Sequence, residues 1–265
     1  MTRFVVLAAL IASTLSAQDW AKQRLEKSPR HREWVKVTAA GRPVDAYVVY
    51  PEVSNKAPVV LVIEEIFGLS DWAQLVTDEF AAAGYIAIVP DLLSGKGPNG
   101  GGTKSMDSDA IGRGMRDLKP EEITADLNAA ADYALKLPSS DGKLFVAGFC
   151  FGGSQSFAYA TSRPDLKGAF VFYGGAPTDN AALERIKAPV YGFYGGSDAR
   201  VTATVEPAKK AMAALSKPYE PTVYEGAGHG FMRAGEDPTN KNEANVKARD
   251  EAWTAVKAEL AKLSK

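Results

Sequence analysis

The most informative stretch of the sequence is Gly148-Phe149-Cys150-Phe151-Gly152-Gly153, which contains the only cysteine among 265 residues. Its first five residues have the pattern G-x-C-x-G. The apolar run 143–147 before it predicts a buried strand, and residues 154–160 after it predict a helix. A strand, a sharp turn and a helix are the context in which G-x-S-x-G turns present a nucleophilic serine. The sequence therefore predicts that Cys150 is a nucleophile in the place of that serine.

A second interpretation of Cys150 comes from residue type alone. Free cysteine is among the most buried residue types, so a lone Cys150 would favour a small buried hydrophobe. The flanking glycines favour the nucleophile instead. A turn of this kind holds its central residue in a strained conformation and passes too close to its neighbours to accommodate side chains on either side.

An acid and a histidine follow the cysteine, each at the end of a predicted strand. Asp198 comes in a glycine turn after the strand that begins near Tyr191, and His229 comes in a loop after Tyr224. Nucleophile, acid and histidine follow in this order in α/β-hydrolases. The only other histidine, His31, lies in a charged N-terminal stretch that predicts an exposed residue. We therefore expect His229 to be the base and Asp198 its acidic partner.

Apolar runs alternate with helical patterns through most of the chain, which predicts an α/β fold. We expect the α/β-hydrolase fold, a mostly parallel central sheet with helices on both faces, as one domain over residues 44–265. Residues 18–43 predict a helix or tether, and alternation between Glu33 and Tyr50 predicts an edge strand or hairpin. The glycine-rich segment 91–119 either covers the site or is a solvated excursion.

The N-terminus has the pattern of a secretory signal peptide over residues 1–17. A short positive start precedes the apolar run 4–15, which is too short to span a bilayer, and small residues follow. The alternative is a buried first helix of the domain. We expect cleavage before Gln18, export to the periplasm or medium, and no stable membrane insertion afterwards. A single cysteine forms no internal disulfide, so export would leave the thiol free.

Composition excludes several classes of function. The chain has 31 Lys and Arg and 32 Asp and Glu without a basic cluster, so we expect no nucleic-acid partner. Two distant histidines and one cysteine predict no metal site. The glycines of 95–102 lack the Gly-Lys-Ser/Thr ending of a phosphate loop, so we expect no cofactor. The expected partner is a small-molecule substrate, and the expected state is a monomer.

These motifs resemble those of the dienelactone hydrolases (carboxymethylenebutenolidases). The resemblance rests on the cysteine turn, the Gly-Gly-Ser-Asp turn ending at Asp198, and the Gly-Ala-Gly-His-Gly-Phe loop around His229. It also rests on Glu64-Glu65-Ile66-Phe67-Gly68-Leu69, which is similar to the family's Gln-Glu-Ile-Phe-Gly segment. The resemblance covers the chain from about Val44 to the last helix.

The resemblance implies a Cys-His-Asp triad assisted by Glu65. In the family this glutamate contacts the resting thiol, and substrate binding swings the cysteine toward the histidine. The thiolate would attack an ester or lactone carbonyl, with the backbone N–H groups of Ile66 and Phe151 binding the oxyanion. Arg233 would bind a substrate carboxylate. The alternatives are a salt-bridged surface acid for Glu65, which would suit its neighbour Glu64 better, and a surface arginine for Arg233.

Some positions depart from the family pattern. Segment 91–119 contains Arg113 and Arg116 but no Tyr or Trp, and Gly230 stands where the family has serine after the histidine. The export signal is also unusual for an enzyme of aromatic catabolism. The leading hypothesis is a cysteine-dependent ester or lactone hydrolase that forms an acyl-enzyme. The alternatives are a broad-specificity exported carboxylesterase or thioesterase, a peptidase, and a non-catalytic binding protein on the same fold.

Overall fold

The computed structural model describes residues 19–265, which contain one sheet of eight strands surrounded by helices. The strands are β1 (Arg32–Ala39), β2 (Arg42–Val49), β3 (Ala57–Ile63), β4 (Ile86–Pro90), β5 (Ser140–Phe149), β6 (Leu166–Phe172), β7 (Val190–Gly195) and β8 (Tyr219–Tyr224). The helices are α1 (Asp19–Glu26), α2 (Asp71–Ala82), α3 (Ser108–Asp117), α4 (Pro120–Leu135), α5 (Phe151–Ala160), α6 (Asn180–Glu184), α7 (Ala199–Thr202), α8 (Val205–Ala214), α9 (Phe231–Glu236) and α10 (Glu243–Leu263).

The sheet is mostly parallel, with spatial order β1-β2-β4-β3-β5-β6-β7-β8. Strands β3 to β8 run parallel to one another, and β1 and β2 form an antiparallel hairpin joined to β4. Because parallel strands are covered on both faces, their sequences are continuous apolar runs rather than alternations. The predicted fold class is confirmed.

Two hydrophobic cores lie on opposite faces of the sheet. In β3, Leu61 and Ile63 pack into the core that α4, α5 and α8 cover, whereas Val60 and Val62 pack into the core that α1, α2 and α10 cover. This alternation follows from the two-residue period of a strand, which sends successive side chains to opposite faces. The two layers of helices leave the carboxyl edge of the parallel strands as the place where loops meet.

The hairpin of β1 and β2 lies where alternation between Glu33 and Tyr50 predicted an edge strand or hairpin. All eight residues of β1 pair with β2, from Arg32 opposite Val49 to Ala39 opposite Arg42. Residues 19–43 therefore contain α1, the edge strand β1 and the start of β2. An edge strand needs only one hydrogen-bonded partner, and most side chains of β1 are partly or fully exposed.

Segment 91–119 packs against the end of β3. It contains two short 3₁₀ turns, at Pro98–Gly100 and Thr103–Ser105, followed by α3. Buried Asp91 accepts hydrogen bonds from the Thr103 amide at 2.8 Å and from the Thr103 hydroxyl at 2.7 Å. The Thr103 hydroxyl in turn accepts from the Leu69 amide at 3.2 Å. Of the two alternatives for this segment, the structure therefore favours cover over a solvated excursion.

The predicted signal peptide, residues 1–17, lies outside the described residues. Between residues 19 and 265, no helix has the length and apolar character that a bilayer crossing requires.

Candidate active site

Cys150 occupies the sharp turn between β5 and α5. Its backbone has φ 55° and ψ −112°, a conformation that side-chain-bearing residues rarely adopt. A Cβ atom on Gly148 would lie 1.9 Å from the carbonyl oxygen of Gly152, and one on Gly152 would lie 2.2 Å from that of Ile63. Only glycine fits at these two positions, as the sequence pattern predicted. The turn between β5 and α5 imposes this strained conformation and places Cys150 at the carboxyl edge of the sheet.

The three predicted triad residues lie in hydrogen-bond contact. Cys150 Sγ is 3.0 Å from His229 Nε2, and His229 Nδ1 is 2.5 Å from Asp198 Oδ2. Asp198 follows β7 and is nearly buried, and its other oxygen accepts a hydrogen bond from the Val201 amide at the start of α7. His229 lies in the loop after β8. Three separate strand ends thus converge, because the carboxyl ends of parallel strands share one edge.

The pKa of His229 is raised from 6.5 to about 9. The hydrogen bond to Cys150 is the largest cause, burial opposes the shift, and the hydrogen bond and charge of Asp198 add to it. The raised pKa favours the protonated imidazole near neutral pH, and the two ring nitrogens face the sulfur and the carboxylate.

Glu65 lies at the end of β3 and is 3% exposed. Its Oε2 accepts a hydrogen bond from Arg233 Nε at 2.8 Å, and its Oε1 accepts from the Tyr173 hydroxyl at 3.5 Å. Burial raises the pKa of this carboxyl, and the charge and hydrogen bond of Arg233 oppose the shift. The contact that the resemblance implies between Glu65 and the resting thiol is absent from this arrangement, in which the sulfur of Cys150 already faces the imidazole.

Arg233 lines a cavity of about 650 Å³, whose lining does not include Cys150, Asp198 or His229. Its guanidinium carbon is 4.9 Å from the centroid of the Phe67 ring, whose side chain is among the exposed large hydrophobic groups. Segment 91–119 supplies the opposite wall, with Thr103, Lys104, Met106, Ser108 and Ile111. Arg113 and Arg116, the cations of this segment considered from sequence, are exposed and do not line the cavity.

Glu64 is not a salt-bridged surface acid, contrary to the sequence-based interpretation. It is 1% exposed, its Oε1 accepts a hydrogen bond from the Leu92 amide at 3.2 Å, and its Oε2 has no hydrogen-bond partner among the described residues. Burial, with a smaller contribution from the charge of Asp91, raises the pKa of this carboxyl well above its usual range. The reason is that segment 91–119 folds over the end of β3 and covers the acid.

Tyr173 is a site residue that the sequence analysis missed. It is buried at the end of β6, has a positive φ of 40°, and its ring lies edge-on to His229 with centroids 5.1 Å apart. Its hydroxyl is the second hydrogen-bond donor to Glu65. The available signal was its position at a strand end before Gly174-Gly175, at the same edge as the triad.

The two predicted oxyanion donors remain free to donate. Across residues 19–265, neither the Ile66 amide nor the Phe151 amide hydrogen-bonds to another residue. Phe151 is the first residue of α5, where helix geometry leaves N–H groups without intrahelical partners. Ile66 directly follows Glu65. In the same described part of the chain, no group of three His, Cys, Asp or Glu side chains is arranged to hold a metal ion.

Comparison with known proteins agrees with this geometry. The sequence model of the dienelactone hydrolase family matches residues 44–264. A carboxymethylenebutenolidase-type protein of Salmonella typhimurium is 32% identical over 208 residues, covering 74% of this chain and 76% of that protein. One of Saccharolobus solfataricus is 29% identical, covering 85% and 96%. The crystal structure of a dienelactone hydrolase-type protein of Klebsiella pneumoniae superposes with a TM-score of 0.75 at 26% identity, covering 86% and 97%. The chain belongs to the dienelactone hydrolase family and is a hydrolase with the α/β-hydrolase fold.

Proposed function

We propose that this protein hydrolyses carboxylic esters or lactones through an acyl-cysteine intermediate. The observation that carries the proposal is the continuous hydrogen-bonded chain from Cys150 Sγ through the imidazole of His229 to Asp198. A nucleophile, a base in contact with it and a third group that orients the base are the arrangement that acyl transfer requires.

In the first half-reaction, the Cys150 thiolate attacks the substrate carbonyl carbon and forms a C–S bond. The negative charge moves to the carbonyl oxygen, within reach of the N–H groups of Ile66 and Phe151, and such a donor contributes about 3 kcal/mol in the transition state. His229 then gives its Nε2 proton to the leaving oxygen as the C–O bond breaks. The products are an acyl thioester and an alcohol, or a tethered hydroxyl when the substrate is a lactone.

In the second half-reaction, the neutral imidazole of His229 accepts a proton from water as the water oxygen attacks the thioester. The C–S bond breaks, the acid leaves, and the thiolate and imidazolium are restored. Asp198 stabilises the imidazolium in both steps and holds its tautomer. No oxidant, metal or cofactor enters this balance, because the net change is addition of one water to one C–O bond.

Arg233 supports a preference for substrates that carry a carboxylate. A planar guanidinium makes two-point contacts with carboxylates, and only its Nε is engaged by Glu65. The cavity beside it also offers apolar surface from Phe67, Met106 and Ile111 for the rest of the substrate. We expect compact acidic esters or lactones with an apolar body.

A second candidate is a broad carboxylesterase or thioesterase. The observation in its favour is that Glu65 pairs with Arg233 at 2.8 Å and neutralises much of its charge. A site with little net charge would bind neutral acyl groups about as well as acidic ones. The two candidates differ in one measurement. Purified protein starting at Gln18 is assayed against dienelactones, p-nitrophenyl esters and acyl thioesters of matched chain length, and the ratio of kcat/KM for acidic over neutral substrates decides between them. Absence of turnover on the whole panel would favour a binding protein.

We also propose that the protein is exported. Support comes from the positive, apolar and small-residue regions of residues 1–17.

A further inference from the structure

Four charged side chains, one each from α1, α2, α9 and α10, hydrogen-bond to one another. Arg24 of α1 donates to Glu79 of α2 at 2.7 Å and to Glu236 of α9 at 3.1 Å. Arg249 of α10 donates to the same two carboxylates, at 3.0 Å to Glu79 and at 2.8 Å to Glu236. We call these residues the α1–α9 cluster. Two guanidinium groups thus bridge two carboxylates, and α1 and α10 each contact α9 through an arginine.

The carboxylates of the cluster are buried. The Glu236 side chain is 2% exposed, and Oε2 of Glu79 has no hydrogen-bond partner among the described residues. Glu236 accepts hydrogen bonds from both cations. Arg249 has a side chain 19% exposed, whereas that of Arg24 is 45% exposed, so the Arg24 contact contributes less. The position of Glu236 is therefore held by Arg24 and Arg249 together, and loss of either cation changes its surroundings.

Helix α9 depends on such contacts for its orientation. It has six residues, too few to be stable as an isolated helix. Its start is anchored by buried Phe231 and Met232, and its end by Glu236. Arg233 lies between these anchors, and His229 lies just before them. A shift of the Glu236 end therefore moves the guanidinium that contacts Glu65 and lines the cavity.

Helix α1 lies before the region that the family model matches, residues 44–264. It is nevertheless docked firmly on the domain. Ala21 and Leu25 are buried in the core beside α2, and Ser28 and Arg30, just after the helix, both hydrogen-bond to buried Asp78. Helix α1 is thus packed on the folded domain and contacts α9 through Arg24.

We propose that α1, through Arg24 and Glu236, positions Arg233 and so sets the preference of the site for anionic over neutral reagents. The inference rests on the proposed function in that Arg233 is the anion-selecting group. Arg24 and Glu236 are positioning residues, because neither lines the cavity.

The test uses alkylation of Cys150, which needs no turnover. The rate constants for anionic iodoacetate and neutral iodoacetamide are measured for the protein from Gln18 onward, and their ratio reports anion preference at the thiol. Arg24→Ala and Glu236→Gln should each lower the ratio roughly two- to tenfold, the size of coupling between connected residues. Lys22→Ala, which removes an exposed charge from the same helix, is the matched control and should leave the ratio unchanged.

Glu236→Gln separates positioning from long-range charge. Removing a negative charge should raise the iodoacetate rate if charge acts through space, whereas loss of positioning should lower it. A raised ratio in Glu236→Gln, or an unchanged ratio in Arg24→Ala, would overturn the proposal. If Glu236→Gln does not fold, Arg24→Ala and its partial rescue by Arg24→Lys carry the test. If the ratios change as expected but the protein does not hydrolyse esters, the proposed function is contradicted and the role of Arg24 and Glu236 is not.

A double variant supplies the last arm. In an Arg233→Ala background, Arg24→Ala should have no further effect on the ratio, because the group that it positions is gone. A second, independent decrease would show that Arg24 acts by another route and would overturn the inference.

Discussion

Arg233 Nε donates to Glu65 Oε2 at 2.8 Å, so a cation that lines the cavity is paired with a carboxylate that is itself almost fully buried. A substrate carboxylate that approaches Arg233 must therefore share the guanidinium with Glu65 or displace it. Burial raises the pKa of Glu65 and Arg233 opposes the shift, so weakening of this pair favours the protonated acid. The pair links the binding of an anion to the proton state of a group beside the triad.

The first prediction concerns Arg233→Ala. We expect kcat/KM for carboxylate-bearing lactones to fall about ten- to a hundredfold, the size of a hydrogen bond to a charged group of about 1.5–3 kcal/mol. The loss should appear mainly in KM, and neutral esters should lose much less. Steady-state kinetics on matched acidic and neutral substrates checks this, with Arg116→Ala, an exposed cation that does not line the cavity, as the control. Equal losses on both substrate types would make Arg233 structural.

The second prediction concerns Asp198→Asn. Its contacts help to raise the pKa of His229 to about 9, so the amide should lower that pKa. The alkaline limb of the pH profile of kcat/KM, where the proton for the leaving group is lost, should then move to lower pH. The rate itself should fall about 10²–10⁴-fold, the usual contribution of positioned acid–base catalysis. An alkaline limb at unchanged pH would show that another group titrates there, as coupled pairs permit.

A third prediction concerns Glu79 and pH-dependent stability. Burial raises its pKa above the ordinary 4.5, with the charge of Glu236 adding to the shift and Arg249 and Arg24 opposing it. A carboxyl with a raised folded-state pKa contributes stability that is present below its unfolded pKa and is lost as pH rises through the folded value. Stability from this group should therefore decline as pH rises above 4.5. Urea unfolding at pH 5 and pH 8.5 should show a smaller difference for Glu79→Gln than for wild type, and an equal difference would refute the assignment.

A fourth prediction concerns the N-terminus. If residues 1–17 are a signal peptide, protein recovered from the periplasm or medium of an expressing bacterium should have an intact mass that starts at about Gln18. A variant with Ala17→Arg, which disrupts the small-residue site, should be retained uncleaved. Exported, soluble protein that still begins at Met1 would contradict the prediction.

Local motifs explain why much of the site could be predicted. The glycines around Cys150 indicate a close backbone approach that only glycine allows. The positions of Asp198 and His229 after predicted strands indicate that both lie at the same edge of the sheet. Glu65 stands directly after an apolar strand at the same edge, and its role, like that of Arg233, came from a resemblance to the family. Each of these signals lies within a few residues of the group that it identifies.

Other features depend on contacts between distant segments, so the sequence carried little sign of them. Glu64 is buried because segment 91–119 covers it, and Tyr173 reaches Glu65 because β6 and β3 end at the same edge. Lys104 lines the cavity only because the Asp91–Thr103 hydrogen bonds hold the segment against the end of β3. Adjacent glutamates, a tyrosine before two glycines and a glycine-rich run are each compatible with several structures until the fold brings their partners together.

The most direct test of the account is the mass of the enzyme during turnover. Wild-type protein mixed with a p-nitrophenyl ester and quenched in acid within milliseconds should carry one acyl group, mapped by peptide analysis to Cys150. Cys150→Ala should carry none and should lose turnover while remaining folded, whereas Ser154→Ala, which removes the nearest hydroxyl on α5, should still be acylated. Full turnover in Cys150→Ala, or an acyl group on a residue other than Cys150, would contradict the account.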